Sequence, residues 1–231
     1  MTGLLLAAAI VLLAGCAGSP PPQTSTAPEP AAAAPQILHR LVLASPQGQG
    51  SLELRREGET YRGYGGILVT DDIGQWRFAY TKTSLEGAGP APGEWIDGLH
   101  ALSVIVTNTS SRDVQIDWEH SQFIDPTGQT HRIVHRGVQL NQLPSPMTPS
   151  VLAAGATLNE FIFSAGGVRF SAPGRGATTG NAPPFSLWNA PAFFERLAPG
   201  AEFSVVLAIR AGDTAAAART FRFAAVAPPS A

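Results

Sequence analysis

Three histidines in the middle of the chain are the residues whose types could bind a metal ion. His131 and His135 lie in a predicted strand, with Ile133 between them on the same face. Glu119 and His120 stand across a predicted turn, so a hairpin could bring imidazoles and a carboxylate together as ligands for Zn or Cu. Residues four apart on a strand are about 13 Å apart, however, which is too far for one ion unless a bulge intervenes. Hydrogen-bonding histidines at a rim are therefore the favoured interpretation, and a metal site at His120, His131 and His135 stays an alternative.

Catalytic chemistry has no recognisable pattern in the sequence. Ser121 and Ser186 lack the glycine-flanked surroundings of an activated serine. The glycine-rich segment 174–180, GRGATTG, lacks the lysine that a phosphate-binding loop needs. The net charge of −2 offers no broad cationic field for nucleic acid or anionic lipid. We therefore predict no enzyme activity, no cofactor and no nucleic-acid partner.

Four aromatic residues in a long glycine- and proline-rich insertion are candidates for a binding surface. They are Phe185, Trp188, Phe193 and Phe194. Exposed together, such rings would form a patch that fits a partner. Folded back, they would extend the core, and this second interpretation is favoured. The insertion covers residues 165–200, and residues 192–197 are expected to form one or two helical turns that place the rings over an edge or open end of the fold.

The only cysteine, Cys16, follows an apolar run at the start of the chain. Every residue from 3 to 14 is apolar or glycine. This run is too short to cross a hydrocarbon core, which needs roughly 20 residues, and it has the length of a signal-peptide apolar region. With no second cysteine, no disulfide can form within the chain.

The residues Leu13, Ala14, Gly15 and Cys16 resemble the lipobox of bacterial lipoproteins. That resemblance implies cleavage before Cys16 and a diacylglycerol on its thiol. The residue after the cysteine is Ala17 rather than the aspartate of an inner-membrane retention signal. The predicted location is therefore a bacterial cell envelope, with the protein held by lipid at the outer membrane. The run before the cut carries no Lys or Arg, which departs from the usual signal peptide.

Composition divides the chain into three parts. Residues 1–15 are the predicted lipoprotein signal peptide. Residues 16–36 comprise the lipidated cysteine and a tether of Pro, Ala, Ser and Thr, which cannot bury enough apolar surface to fold. Its prolines keep it extended, as in a spacer. Residues 37–227 are the predicted folded domain.

Short alternating strands separated by turns dominate this domain. The segment LHALSVIVTNTS is the strongest predicted strand, and AEFSVVLAIR and ARTFRFAAV have large apolar residues at every second position. No long helical pattern lies between these segments. The spacing of about ten residues is typical of an all-β sandwich.

A pattern of residues over 99–163 resembles a group of uncharacterised bacterial lipoproteins with an immunoglobulin-like domain. The matching residues are Asn108, Trp118, Glu119, Phe123, Asp125, Gly128, Arg132, His135, Pro149 and Gly155. The resemblance implies an immunoglobulin-like β-sandwich, here with the long Gly/Pro-rich insertion and a short helical segment. The group has no assigned activity, so it indicates fold and location only.

The sequence thus predicts a lipid-anchored envelope protein that presents a non-enzymatic β-sandwich to a protein or glycan partner. The alternative is a periplasmic module that binds a metal or small ligand at the three histidines.

Overall fold

The computed structural model describes residues 35–57, 60–83, 99–136, 138, 145–167, 169–171, 186–188 and 193–228. These residues belong to one compact unit, residues 33–231. They form thirteen strands and two short 3₁₀ turns, and within these ranges there is no α-helix. None of the described helical segments is long and apolar enough to cross a membrane.

The strands follow one another along the chain, and the shortest connections join β1 to β2, β2 to β3 and β3 to β4. They are β1 Gln36–Ser45, β2 Gln49–Glu57, β3 Thr60–Thr70, β4 Gly74–Thr83, β5 Leu99–Asn108, β6 Val114–Ile124, β7 Thr130–His135, β8 Ser150–Leu152, β9 Thr157–Ser164, β10 Arg169–Ser171, β11 Ser186–Trp188, β12 Glu202–Ala211 and β13 Ala217–Val226. The 3₁₀ turns are Ala165–Gly167 and Phe193–Arg196.

Ten of these strands close into an antiparallel barrel. Their order is β12-β13-β1-β2-β3-β4-β5-β9-β7-β6, and β12 pairs with β6 to complete the ring. Strand β8 adds to β6 beside β7, and β10 and β11 form a separate two-stranded sheet. The fold is therefore all-β, as predicted, but the immunoglobulin-like β-sandwich is wrong.

The sandwich prediction failed because its signals do not distinguish a sandwich from a barrel. Alternation and turns specify strands and their apolar faces, whereas closure depends on whether two strands far apart in sequence pair. Here Val205 lies opposite Phe123, and Ile209 lies opposite Ile116. The predicted helical segment is also wrong as an element of the fold class, because the described residues of the insertion form no helix longer than the four-residue 3₁₀ turn Phe193–Arg196.

A bulge in β6 lets this closing pair form. Between the aligned pairs Gln122–Val206 and Asp117–Ala208, β6 has more residues than β12. Ser121 fills the irregularity, since its hydroxyl donates to the backbone oxygen of Asp117 at 2.6 Å and accepts the N–H of Ala208 at 3.1 Å. The serine that could have suggested a nucleophile thus satisfies backbone groups at the seam of the barrel.

Apolar side chains fill the barrel interior. Alternate residues of each strand point inward because successive side chains lie on opposite faces. The largest fully buried side chains are Trp76, Trp118, Phe78, Phe123, Phe194, Phe203, Phe221 and Phe223. The ring of Phe78 on β4 lies 4.9 Å from that of Phe221 and 5.2 Å from that of Phe223, both on β13. These contacts cross the interior and connect two strands that are not neighbours in the wall.

The two ends of the barrel differ. At one end, short turns join β1 to β2, β3 to β4 and β12 to β13. The carboxylate of Asp71 shapes one of these turns by accepting the N–H groups of Ile73 and Gly74. At the opposite end β1 begins at Gln36 and β2 ends at Glu57. We call this opposite end the tether end, because the segment 17–36 leads into it.

Candidate functional site

The site is built around His135, which faces the barrel interior. Tyr80 on β4 is in register with Leu102 on β5, Leu102 with Ile162 on β9, and Ile162 with His135 on β7. Directly opposed residues of antiparallel strands lie on the same face. His135 therefore belongs to the same inward row as Tyr80.

The imidazole of His135 lies between an indole and a carboxylate. It stacks on Trp118 with ring centroids 4.6 Å apart and an interplanar angle of 18°. Its Nδ1 lies 3.9 Å from Oε2 of Glu160, and neither ring nitrogen has a hydrogen-bond partner in the described part of the chain. The indole N–H of Trp118 donates to the hydroxyl of Ser150 at 2.9 Å. Burial lowers the pKa of His135 to about 4, so its imidazole is neutral at pH 7.

Glu160 places a second buried ionisable group at the point where β7 ends. Its Oε2 accepts the backbone N–H of Arg136 at 3.2 Å. Arg136 is the first residue after β7, so the carboxylate replaces the strand partner that this N–H lacks. Burial raises the pKa of Glu160, and the backbone hydrogen bond from Arg136 opposes that rise. Burial therefore favours the neutral form of both groups, because it raises the pKa of the Glu160 carboxyl and lowers the pKa of the His135 imidazole.

The other two predicted site histidines lie in different surroundings. His120 is 75% exposed in its side chain, and its Nδ1 is 2.7 Å from the carboxylate of Asp117. His131 bonds the carboxylate of Asp125 through Nε2 at 2.9 Å, in the turn between β6 and β7. In the described ranges no three His, Cys, Asp or Glu side chains are grouped so that they could hold a metal ion.

Asp125 organises the β6–β7 turn through its side chain. One carboxylate oxygen accepts the hydroxyl and the N–H of Thr127 and the N–H of Gln129. Burial by itself raises the pKa of Asp125, but the hydrogen bonds from Thr127, His131 and Gln129 outweigh it and lower the pKa to about 2. The turn therefore holds an ionised carboxylate down to strongly acidic pH.

A second buried histidine was missed by the sequence interpretation. Nε2 of His39 lies 2.8 Å from the phenol oxygen of Tyr80, and His39 is fully buried in β1. Burial lowers the pKa of His39 to about 4 and raises that of Tyr80 well above its usual value. The available signal was the phase of the strand, because His39 shares a face with the core residue Leu41.

The aromatic candidates of the insertion divide into two groups. Phe194 is buried and packs its ring 5.3 Å from Tyr80 and 5.7 Å from Phe203. Phe193 packs 5.1 Å from Phe123. These two rings fold into the barrel rather than forming an exposed patch. Phe185 and the side chain of Trp188 lie outside the described residues, as does the predicted lipidation site Cys16.

Comparison with protein-family models, curated proteins and solved structures finds no match to this chain. The resemblance to lipoproteins therefore stays a prediction from the sequence.

Proposed function

We propose that this chain is a lipid-anchored protein of a bacterial cell envelope, held at the outer membrane, whose barrel is a non-enzymatic binding module for a protein or glycan. The observation that carries the proposal is the order of features along the chain. Leu13, Ala14, Gly15 and Cys16 end an apolar run, a proline-rich tether follows, and β1 begins directly after it at Gln36. A lipid, a spacer and a folded domain in that order fit attachment and presentation.

Two features of the barrel support a binding role. Its interior is occupied by packed side chains, so contact with a partner falls to the outer faces and the ends. Two of the histidine–carboxylate contacts also have structural explanations that need no catalytic role. Asp125 with His131 closes a turn, and Asp117 with His120 lies on the exposed side of β6.

The metal-binding alternative gains no support from the geometry. His120 is exposed, His131 belongs to the β6–β7 turn, and His135 is buried against Trp118. Each of these histidines has its own nearest carboxylate, so a common ion would require all three to move.

Metabolic labelling of the full chain with an alkyne fatty acid, expressed in a bacterium, tests the anchor. We expect label on the wild-type chain, and no label on Cys16→Ser, because the thiol is the attachment atom. Ser19→Ala is the matched control, since it alters a small polar residue three positions later and leaves the motif intact. Equal labelling of Cys16→Ser and wild type would refute the anchor.

The binding role needs a separate test with the folded domain. Immobilised domain is offered envelope extracts and a set of purified glycans, and we expect one partner to be retained unchanged. A Phe78→Ala variant, in which the core between β4 and β13 is broken, should not retain it. A retained compound that the domain converts chemically would contradict a non-enzymatic role.

A further inference from the structure

One outer face of the barrel carries a group of arginines. Arg40 on β1, Arg55 on β2, Arg62 on β3 and Arg77 on β4 alternate with the buried residues of their strands and so point away from the interior. The four strands are consecutive neighbours in the wall. We call the outer surface formed by these four arginines, with Tyr64 and Leu68, the arginine face.

Two partly covered glutamates hold three of the arginines in place. Glu53, with a side chain only 16% exposed, bonds Arg40 at 2.8 Å and Arg55 at 2.7 Å. Glu57 lies 3.1 Å from the guanidinium of Arg62. The glutamates are less exposed than the arginines they bond, so the charge presented outward is positive. Among its described residues this face has two more arginines than glutamates, in a protein with a net charge of −2.

Exposed apolar side chains lie among these charges. Within the described ranges, the exposed large apolar side chains are Tyr64, Leu68 and Val151, and the first two lie on β3 in this face. The guanidinium of Arg55 sits 4.5 Å from the ring centroid of Tyr64. Guanidinium groups interleaved with a phenol and a leucine form a surface suited to the boundary between water and lipid.

The arginine face reaches the tether end of the barrel. Arg55 and Arg62 are directly opposed in register, close to where β2 ends and β3 begins. Gln36, where the tether joins β1, is in register with Arg56 on the same strand β2. The segment that leads to the predicted lipid at Cys16 therefore enters the wall beside the arginines.

We propose that the arginine face docks on anionic phospholipid headgroups of the membrane that holds the anchor. This inference rests on the proposed lipid attachment, because the tether determines which surface is within reach. Glu53 holds the guanidinium groups of Arg40 and Arg55 in place. A guanidinium has five N–H donors, so an arginine that bonds a glutamate keeps donors for a phosphate oxygen. Tyr64 and Leu68 then enter the headgroup layer. An anchored barrel is held near the membrane surface, where arginines within a Debye length are attracted to anionic headgroups.

Vesicle flotation tests the docking with residues 17–231, which lack Cys16 and so cannot be lipidated. The barrel within this segment has its own core and belongs to a separate compact unit. We expect binding to vesicles that contain phosphatidylglycerol, weak binding to pure phosphatidylcholine, and loss of binding as salt rises.

A paired substitution gives the expected size of the effect. Each arginine near an anionic surface contributes about a factor of five in partitioning, so Arg62→Gln with Arg77→Gln should weaken binding roughly 25-fold. The side chain of Arg62 is 65% exposed and Arg77 is exposed, so both changes should leave the fold intact. The matched control removes the same charge from the opposite end of the barrel, by Arg112→Gln with Arg210→Gln, and should change binding less than twofold.

Three results would overturn the docking. They are equal binding to both vesicle types, equal losses in the two double variants, and retention by an acidic polysaccharide without vesicle binding. The fatty-acid labelling at Cys16 is scored independently. Labelling without vesicle binding would leave the anchor standing and remove the docking, whereas vesicle binding without labelling would remove the anchor and leave a peripheral lipid-binding face.

Discussion

Acidification from pH 7 to pH 5 should destabilise the barrel through its two buried histidines. The pKa values of His39 and His135 are lowered to about 4 by burial, whereas an imidazole in the unfolded chain titrates near 6.5. Between those two values the unfolded chain binds more protons than the folded one, so the free energy of unfolding falls as the pH falls. Over this interval each histidine removes at most about 2 kcal/mol, and the two together about 4 kcal/mol.

Replacement of His135 by phenylalanine should remove half of this pH dependence. Within the described chain neither ring nitrogen of His135 has a hydrogen-bond partner, so a phenyl ring loses no hydrogen bond and keeps the stack on Trp118. We expect His135→Phe to match the wild type at pH 7 within about 1 kcal/mol, and to lose about 2 kcal/mol at pH 5 where the wild type loses about 4. Urea unfolding at both pH values, followed by tryptophan fluorescence, measures the difference.

A control variant tests the buried carboxyl beside His135. Glu160→Gln should act in the opposite direction, because a carboxyl whose pKa is raised by folding contributes stability at low pH that is lost as the pH rises through the folded value. The variant is therefore expected to be more stable at pH 7 and to lose more on acidification. If His135→Phe lost as much stability as the wild type at pH 5, the imidazole would not be neutral in the folded state, and the reasoning would be refuted.

Two further predictions concern the barrel wall. A methyl group added in Gly63→Ala would lie 2.1 Å from Cβ of Tyr80, so we expect the free energy of unfolding in urea to fall by about 3 kcal/mol. For Gly128→Ala we expect a fall of about 1 kcal/mol, because Gly128 has a φ of +82° but open space around it. Equal losses would show that β3 and β4 separate easily. In Asn108→Ala the buried backbone oxygen of Leu152 loses the amide that donates to it at 3.1 Å. The free energy of unfolding should therefore fall by about 2 kcal/mol. A loss below about 0.5 kcal/mol would mean that another donor replaces the amide.

Much of the strand content was predictable from the sequence. The segment LHALSVIVTNTS, predicted as the strongest strand, contains β5 Leu99–Asn108, and the predicted strand in AEFSVVLAIR is β12 Glu202–Ala211. Both have inward apolar residues at every second position, which is the pattern that burial of one face requires. Closure of the barrel was not predictable in this way, because it depends on a bulge at Ser121 and on pairing between β6 and β12.

The candidate site was only partly predictable. His135 and Trp118 were both singled out in the sequence, and the structure places Trp118 in the core. Their stacking and the approach of Glu160 were not foreseen, because these groups come from β7, β6 and β9 and meet only across the barrel. The arginine face was missed for the same reason, since its members are separated along the chain and become neighbours through strand pairing.

By itself the sequence determined that the domain is built of strands and which side of several strands is apolar, because a period of two is a local property that burial imposes on neighbouring residues. The sequence is also the basis for predicting lipid attachment at Cys16, because the lipobox consists of adjacent residues and can be recognised without a folded structure. Only the tertiary structure decided that the strands close into a barrel, that His135 is enclosed without a hydrogen-bond partner in the described chain, and that four arginines share one face. Those properties arise from register between distant segments, and a one-residue change in register would move each side chain to the other face of the sheet.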